Sequence, residues 1–364
     1  MRVLYVSSNG GIHDYRFLKK LVEDYDVLFL HYAANEIIDE IDKLENLQII
    51  SKKPAFKPFP LISESGHFKR VLNEFKPDIV HTGYVWQVGI LAALADFHPH
   101  LSMPWGSDIL IEPDSSFIKR KLVRKVMNQC DHIQCDAEFV KRKIIKDYKL
   151  SENKITVFPW GIDLSLFRKS DKSVARARLH IGSDKFVVVF NRYLEQVYGI
   201  NYLLKAFRIF SSDKDDVLLV MLSEGELKNS VLKFITGNRL ESKINLIGKV
   251  SNFELPDFLN SADIYVSSSL SDGTSLSLLE AMACGLGLVV TDVPAIKEWV
   301  SGENGLVVKK KSSEELAKAI QEYYENRHLI EKHGQKSTEI SDERADWDKN
   351  YLKLKEIYRK LLSI

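Results

Sequence analysis

The stretch of sequence that decides the fold, at residues 271–292, reads SDGTSLSLLEAMACGLGLVVTD. It opens with turn and cap residues, continues as an apolar run that carries one carboxylate, Glu280, and ends at two nearby glycines before a Leu/Val-rich strand. The residues before it, DIYVSSS, predict another strand, and a helix is expected to begin near Ser275. Because a lone carboxylate is costly to bury in an apolar helix, Glu280 is expected to have polar partners.

The same alternation of strand and helix runs twice along the chain. The predicted strands of the first half are RVLYVSS, DVLFLHY, DIVHTGY, HLSMPWG, HIQCDA and ITVFPWG, and those of the second half are KFVVVFNR, VLLVMLSEG, INLIGKV, DIYVSSS and LGLVVTD. Strands this apolar indicate parallel sheets covered by helices on both faces. We therefore predict an α/β protein with two doubly wound, Rossmann-like domains that face a central cleft. The expected boundaries are 1–168, 169–340, and a C-terminal helix at 341–364 that packs back on the N-terminal domain.

Length and composition narrow the class of protein. A chain of 364 residues suggests two domains, and a formal net charge of +1 gives no overall attraction to nucleic acid. The three cysteines have no metal-ligand spacing and form no even disulfide set, which favours a reducing cytoplasm. The N-terminus reads as a first strand and not as a signal peptide, and no apolar run reaches the ~18 residues of a membrane span.

Ligands of doubly wound domains bind beyond the carboxyl ends of the strands, so the loops there are the candidate sites. In the loop SSNGGIHDYRFLKKL, Gly10 and Gly11 allow backbone N–H groups to approach a ligand at a helix N-terminus. His13, Asp14 and Arg16 in the same helix start are candidate polar substrate contacts. A tight turn explains the glycines equally well, and ordinary capping and surface charge explain Asp14 and Arg16.

Two loops of the second half carry charged residues. Arg192 ends the strand that opens this half, where a guanidinium can offer two parallel hydrogen bonds to phosphate oxygens; a surface ion pair is the alternative. At the helix that begins near Ser275, the free N–H groups and the dipole favour an anion such as a diphosphate. Asp272 lies at the mouth of this helix, and Glu280 is placed to accept hydrogen bonds from a vicinal diol such as that of a ribose. A satisfied helix carboxylate is the alternative interpretation of Glu280.

At this point the sequence resembles a known family, the GT4-class retaining glycosyltransferases (glycosyltransferase group 1), which have the two-domain GT-B fold. Their hallmark is an acidic residue, seven intervening residues and a Glu within a strand–turn–helix. It stands here as Asp272, GTSLSLL and Glu280, followed by AMACG, LVVT and a later Glu298. The resemblance covers nearly the whole chain and is strongest in residues 244–308.

The resemblance implies roles for these positions. Glu280 would bind the ribose of a nucleotide sugar, Asp272 the hydroxyls of the donor sugar, and the backbone at Gly273, Thr274 and Ser275 the phosphates, with Arg192 as the phosphate-binding arginine. Together with the loops of the first half, three sets of candidates follow. The catalytic candidates are Asp272, Arg192 and Asp108; the donor-binding candidates are Glu280, Gly273, Thr274, Ser275, Tyr198, Gly10 and Gly11; and the acceptor-binding candidates are His13, Arg16 and Trp105.

Three positions depart from the family pattern. The first acid is Asp272, where the family usually has Glu, and Tyr198 stands where the family has Lys, so less positive charge is available for a diphosphate. In SMPWGSD, Trp105 stands where many members have His, and Asp108 follows three residues on. Trp105 is a candidate for stacking on a sugar ring and Asp108 for a polar role, while core packing is the alternative for Trp105.

The resemblance predicts a retaining hexosyltransferase that uses a nucleotide diphosphate sugar, by preference UDP-linked, and a glycan or lipid-linked acceptor. No cofactor and no metal are expected, because the Asp-x-Asp sequences at 24–26 and 213–215 are not at strand ends. Two alternatives stay open: a nucleotide-sugar epimerase of the same fold, and a non-catalytic nucleotide-sugar-binding partner.

A basic amphipathic segment, FIKRKLVRKVMNQCDHI at residues 117–133, is a candidate for peripheral contact with an anionic membrane. Its basic residues are Lys119, Arg120, Lys121, Arg124 and Lys125, and apolar residues lie between them. The alternative is a solvated helix whose apolar side packs on the sheet.

Overall fold

The computed structural model describes residues 1–33, 36–53 and 60–363, apart from the side chains of residues 60–63. The chain divides into two compact units. The first consists of Met1–Phe158 and Tyr351–Ile364, and the second of Pro159–Asn350.

The first unit is built on a seven-stranded parallel sheet in the order β3-β2-β1-β4-β5-β6-β7. Its strands are β1 Arg2–Ser7, β2 Asp26–His31, β3 Leu47–Ser51, β4 Ile79–Gly83, β5 His100–Met103, β6 His132–Cys135 and β7 Ile155–Val157. Its helices are α1 Ile12–Asp24, α2 Asp39–Asp42, α3 Pro60–Phe75, α4 Ile90–Ala95, α5 Ser107–Leu110, α6 Glu112–Ser115, α7 Phe117–Gln129 and α8 Glu138–Tyr148. A π-helical turn, Val85–Gly89, precedes α4, and a 3-10 turn, Glu152–Lys154, precedes β7.

The second unit repeats this plan with a six-stranded parallel sheet in the order β10-β9-β8-β11-β12-β13. Its strands are β8 Phe186–Phe190, β9 Val217–Met221, β10 Ile244–Leu246, β11 Ile264–Ser267, β12 Gly287–Thr291 and β13 Leu306–Val308. Its helices are α9 Lys172–Arg178, α10 Ile200–Phe210, α11 Lys228–Gly237, α12 Leu255–Ser261, α13 Leu276–Ala283, α14 Ser313–Glu325 and α15 His328–Arg344, with 3-10 turns at Gln196–Tyr198 and Ile296–Glu298. Side chains of the central strand, such as Phe186, Val188 and Phe190, are fully buried in the core of this unit.

The last helix, α16 Trp347–Leu362, returns to the first unit from Tyr351 onward. There the Tyr358 hydroxyl and His81 Nδ1 share a hydrogen bond of 2.8 Å, and Tyr351 donates to the Asp24 carboxylate at 2.9 Å. The expected helix at 341–364 is therefore two helical segments, since α15 ends at Arg344 and α16 begins at Trp347.

The boundary between the units lies at residues 158 and 159, earlier than the 168 and 169 expected from the sequence. The cause is a pair of backbone hydrogen bonds between residues distant in the sequence, which the sequence does not reveal. Ile162 donates to the Ala345 carbonyl at 2.7 Å and accepts from Trp347 N–H at 3.1 Å, which fastens this segment to the second unit.

Two strands, β3 and β13, were not predicted from the sequence. β3 and β13 are edge strands of their sheets, and each has half-buried and exposed residues in place of a fully buried run. The edge strands β7 and β10 were predicted, but β3 is interrupted by Gln48 and β13 is only three residues long, so neither makes an extended apolar run. Within the described parts of the chain, none of the helices combines the length and the apolar character needed to cross a membrane.

Candidate nucleotide-sugar site

The topology of the second unit brings two charged loops together. β8 lies next to β11, and the strand order reverses at this pair, so the loops that follow the two strands meet at the carboxyl edge of the sheet. Arg192 follows the end of β8, and Asp272–Ser275 follow β11. Ligands of open α/β sheets bind at such switch points, so this is where a binding site is expected.

The start of α13 is capped as the sequence predicted. Ser275 is the N-cap residue, and its Oγ accepts a hydrogen bond from Leu278 N–H at 3.3 Å. Thr274 Oγ1 accepts from the Trp299 indole at 3.4 Å, and both residues are buried. The other N–H groups of this first turn lie at the positive end of the helix dipole, which favours an anion.

Arg192 is the centre of the site. Its Nη2 donates to Asp272 Oδ2 at 2.8 Å, and its Nη1 donates to Ser275 Oγ at 3.0 Å and Ser277 Oγ at 3.1 Å. The ring of Tyr198 lies 4.2 Å from the guanidinium carbon, a cation–π contact. The structure therefore brings four of the sequence candidates, Arg192, Asp272, Ser275 and Tyr198, into one cluster.

Electrostatics keep the guanidinium charged and make the carboxylate less acidic. Burial alone would lower the pKa of Arg192, but the negative charge of Asp272, with smaller contributions from Tyr198 and Glu280, raises it above its ordinary value. Burial raises the pKa of Asp272, although Arg192 and the N–H of Gly273 partly oppose the shift. The pair is thus a desolvated ion pair, in which each charge depends on the other.

Glu280 lies in α13 and is only 5 % exposed. Its charge contributes to the raised pKa of both Arg192 and Cys284. Glu280 therefore acts electrostatically on the same guanidinium as Asp272, from a position inside the helix.

The sequence interpretation missed Ser277 and Tyr265. The Ser277 hydroxyl shares hydrogen bonds with Tyr265 at 3.1 Å and with Ser275 at 3.0 Å, and so links the strand β11 to the guanidinium. A signal was present, because Ser275 and Ser277 are the polar residues at the start of an otherwise apolar helix.

In the first unit, the glycine loop is shaped by a buried carboxylate. Asp14 accepts hydrogen bonds from Gly10 N–H at 2.7 Å, the Tyr5 hydroxyl at 2.9 Å and Ser7 Oγ at 3.0 Å. Gly10 has φ +68°, and a Cβ there would lie 3.0 Å from His31 Nε2, so both conformation and space favour glycine. Asp14 thus holds the turn in place through these hydrogen bonds, and a ligand role of Gly10, Gly11 and Asp14 stays a prediction.

The loop after β5 is likewise shaped by a buried carboxylate. Asp108 is fully buried and accepts hydrogen bonds from Val85 N–H at 2.8 Å and from Trp105 and Gly106 N–H at 3.0 Å each. These contacts shape the loop, and the catalytic role assigned to Asp108 from the sequence stays a prediction. Trp105 meets His13 edge to face with ring centroids 5.5 Å apart, so two of the three acceptor candidates are neighbours. The third, Arg16, lies one turn further along α1.

Residues 117–129 of the basic segment form α7, whose two sides differ, while His132 and Ile133 already belong to β6. Val123 and Val126 are fully buried, as the packing alternative requires, but Phe117 and Ile118 are 71 % and 67 % exposed. Lys119 and Arg120 are paired with Glu112 and Asp114, at 2.9 and 2.7 Å. The exposed face of α7 therefore combines the apolar side chains of Phe117 and Ile118 with the cationic side chains of Lys121, Arg124 and Lys125.

Comparison with solved structures defines the class of fold. HepE of Anabaena, crystallised with UDP-glucose, superposes with a TM-score of 0.83 at 18 % identity, over 99 % of this chain and 100 % of that one. Sucrose-phosphate synthase from Thermosynechococcus elongatus gives 0.83 at 15 % identity over the whole of both chains. The fold is the GT-B fold of glycosyltransferases.

Comparison of sequences defines the family. The family model described as glycosyl transferases group 1 matches residues 171–340, and that described as glycosyl transferase 4-like matches residues 2–137. An uncharacterised glycosyltransferase of Methanocaldococcus jannaschii is 25 % identical over 99 % of this chain and 97 % of its own length. The alpha-monoglucosyldiacylglycerol synthase of Acholeplasma laidlawii is 24 % identical over 79 % of each chain. The chain belongs to the group 1 glycosyltransferases of the GT4 type.

Proposed function

We propose that this glycosyltransferase transfers a hexose or a hexose derivative from a nucleotide diphosphate sugar, by preference a UDP-sugar, to a hydroxyl of a glycan or lipid-linked acceptor. The observation that carries the proposal is the cluster at the switch point of the second unit. There a buried guanidinium, Arg192, lies at the N-terminus of α13 and beside two carboxylates, Asp272 and Glu280.

The donor roles follow from the chemistry of the cluster. Arg192 and the first turn of α13 supply positive charge for a diphosphate, and Glu280 is an acceptor for the ribose hydroxyls. Asp272 is an acceptor for the hydroxyls of the donor sugar. The neighbours named above support a UDP-linked donor, since HepE was crystallised with UDP-glucose.

In the proposed reaction, the bond between the anomeric carbon and the diphosphate oxygen breaks, and a bond from that carbon to the acceptor oxygen forms on the same face. Because the new bond forms on the face from which the diphosphate leaves, the configuration is retained, and the acceptor proton passes to the leaving diphosphate. Arg192 and the dipole of α13 stabilise the charge that develops on the leaving group, and we propose that no metal is required.

The acceptor is assigned to the first unit, where His13, Arg16 and Trp105 lie in α1 and in the loop after β5. The exposed face of α7 supports an acceptor held at an anionic membrane surface, reached from the cytoplasm. It combines Phe117 and Ile118 with three cationic side chains, and each Lys or Arg near such a surface contributes about 1 kcal/mol. The name of the Acholeplasma relative, a glucosyldiacylglycerol synthase, points to a lipid acceptor in that protein.

A thermal-shift screen with UDP-, GDP- and ADP-sugars tests the donor assignment, because a ligand that binds only the folded state stabilises it. The donor that raises the unfolding temperature is then incubated with and without EDTA and with candidate acceptors. Transfer with retention in the presence of EDTA supports the proposal. Formation of an epimer, a strict need for metal, or no turnover with any donor contradicts it.

Flotation with liposomes tests the membrane contact. Binding is expected to rise with anionic lipid content and to fall with salt, and Lys121→Glu with Lys125→Glu is expected to remove it. The matched control is Lys205→Glu with Lys228→Glu in the second unit, which changes the net charge equally. A wild-type protein that stays out of the floated fraction at low salt would leave a soluble glycan as the acceptor.

A further inference from the structure

The cation of the proposed phosphate site is already occupied by an anion of the same chain. Arg192 and Asp272 are 2.8 Å apart, and each side chain is only 13 % exposed. Under the proposed function this guanidinium must bind a diphosphate, so the ion pair and the ligand compete for one charge.

The other contacts of Arg192 do not compete in this way. The hydroxyls of Ser275 and Ser277 are neutral, and the Tyr198 ring covers a face of the guanidinium, not its hydrogen-bonding edge. Among these described contacts of Arg192, only that with Asp272 brings a full negative charge to the edge that a phosphate oxygen would use.

We propose that Asp272 is an intramolecular competitor for Arg192, which a diphosphate must displace, and that this competition lets the site favour an intact nucleotide sugar over the nucleoside diphosphate product. An intact donor carries sugar hydroxyls that can donate to the displaced carboxylate. The product has lost its sugar and offers no such donors. The inference rests on the proposed function, because it assigns the diphosphate to Arg192.

The energetic reason is the cost of a buried charge without a partner. Removing one member of a buried ion pair leaves the other uncompensated, which is strongly unfavourable. The Gly273 N–H and the Ser269 hydroxyl hydrogen-bond to Asp272 and hold it near its position, so it cannot escape to solvent without losing them. After transfer, Asp272 returns to Arg192 and helps to expel the product.

The test is calorimetric titration of the full chain with UDP, GDP and ADP, and with the corresponding glucose-linked nucleotides. In Asp272→Asn the competing charge is gone, and the affinity for the nucleoside diphosphate is expected to rise about tenfold, or 1.4 kcal/mol. The affinity for the glucose-linked nucleotide is expected to fall or stay constant. Asp272→Glu keeps the charge and is expected to retain the wild-type preference.

Asp257→Asn is the matched control. It removes a carboxylate of the same unit that is paired with Arg178 and not with Arg192. Its affinities are expected to equal those of the wild type. Asp272→Ser is the second uncharged variant, used if Asp272→Asn does not unfold cooperatively, and the same tightening is expected.

Unchanged or weaker binding of the diphosphate in the uncharged variants overturns the competition but leaves the proposed function standing, provided that the wild type binds the diphosphate and Arg192→Ala does not. If no diphosphate binds the wild type or the variants, the proposed function fails and this inference fails with it.

Discussion

Buried aspartates serve different purposes in the two units, although both units are doubly wound sheets. In the first unit, Asp14 and Asp108 accept hydrogen bonds from backbone N–H groups and hydroxyls, both of their own loops and of a neighbouring strand or turn. In the second unit, Asp272 pairs with a side-chain cation, Arg192. A carboxylate held by the backbone fixes the shape of a loop, whereas one held by a side-chain cation can exchange its partner for a ligand.

The histidines add a second contrast. In the first unit His31, His81, His100 and His132 are buried in strands, and burial lowers the pKa of all four, to about 3, 3 and 4 for the last three. Among the described residues of the second unit, His333 is the buried histidine. The first unit thus keeps several neutral histidines in its sheet, while the second buries two ion pairs, Arg192–Asp272 at the candidate site and Arg176–Asp263 away from it.

The largest effect is expected from Arg192→Ala. Loss of the cation that balances the leaving diphosphate should lower kcat by about 10²–10³-fold, with the fold retained. The measurement is donor turnover, with the unfolding temperature as a check on the fold. Arg178→Ala removes a guanidinium that is 62 % exposed and should leave turnover unchanged. Full activity of Arg192→Ala would move the phosphate site elsewhere.

Acid is expected to lower the free energy of unfolding of the first unit more than that of the second. His81, His100 and His132 stay neutral in the folded state, so their stabilisation is complete above pH 6.5 and declines as the pH falls toward 3–4. Between pH 7 and pH 5 they lose about 5–6 kcal/mol together. Asp14 and Asp108, whose pKa burial raises to about 6, take up protons on folding and offset roughly half of this loss. A net loss of about 3 kcal/mol remains.

Hydrogen exchange, corrected for its intrinsic pH dependence, measures this difference unit by unit. Amides of β4 and β5 should lose protection at pH 5 relative to those of β8 and β11. Equal loss in both sheets would break the contrast between the units.

Glu280→Gln is expected to weaken donor binding by about 1.5–3 kcal/mol, because a charge-assisted bond to the ribose becomes a neutral one. The fold should persist, since the amide has the shape of the carboxyl group. Calorimetry with a UDP-sugar measures the change, and the exposed Glu322→Gln in the same unit is the control. Unaltered affinity in Glu280→Gln would refute the ribose assignment.

The smallest effect is expected from Asp108→Asn. An amide can accept at only one of its two polar atoms, so at least one of the three backbone N–H groups loses its acceptor, at a cost of about 1–2 kcal/mol in the first unit. Thermal unfolding measures it, with Asp114→Asn, a carboxylate 57 % exposed, as the control. A kcat that falls far more than the stability would instead support the catalytic role assigned to Asp108 from the sequence.

Most of the architecture could be predicted because its signals are local. Apolar runs predicted eleven of the strands, and the turn before LSLLEAMA predicted a helix that in the structure has Ser275 as its N-cap. The edge strands β3 and β13 were not found in this way, because Gln48 interrupts the apolar run of β3 and β13 has only three residues. The spacing of Asp272 and Glu280 likewise identified the family before any coordinates.

By itself, the sequence determined the two doubly wound domains, the capped helix and the identity of the charged residues at strand ends, since periodicity and turn chemistry act over a few residues. Only the tertiary structure decided which of those residues meet. Arg192 and Asp272 are 80 residues apart, and His81 and Tyr358 are 277 apart. Pairing at such separation depends on the order of strands in the sheet, which places the ends of β8 and β11 side by side. The sequence therefore named the groups of the candidate site, and the sheet order turned two of them into an ion pair.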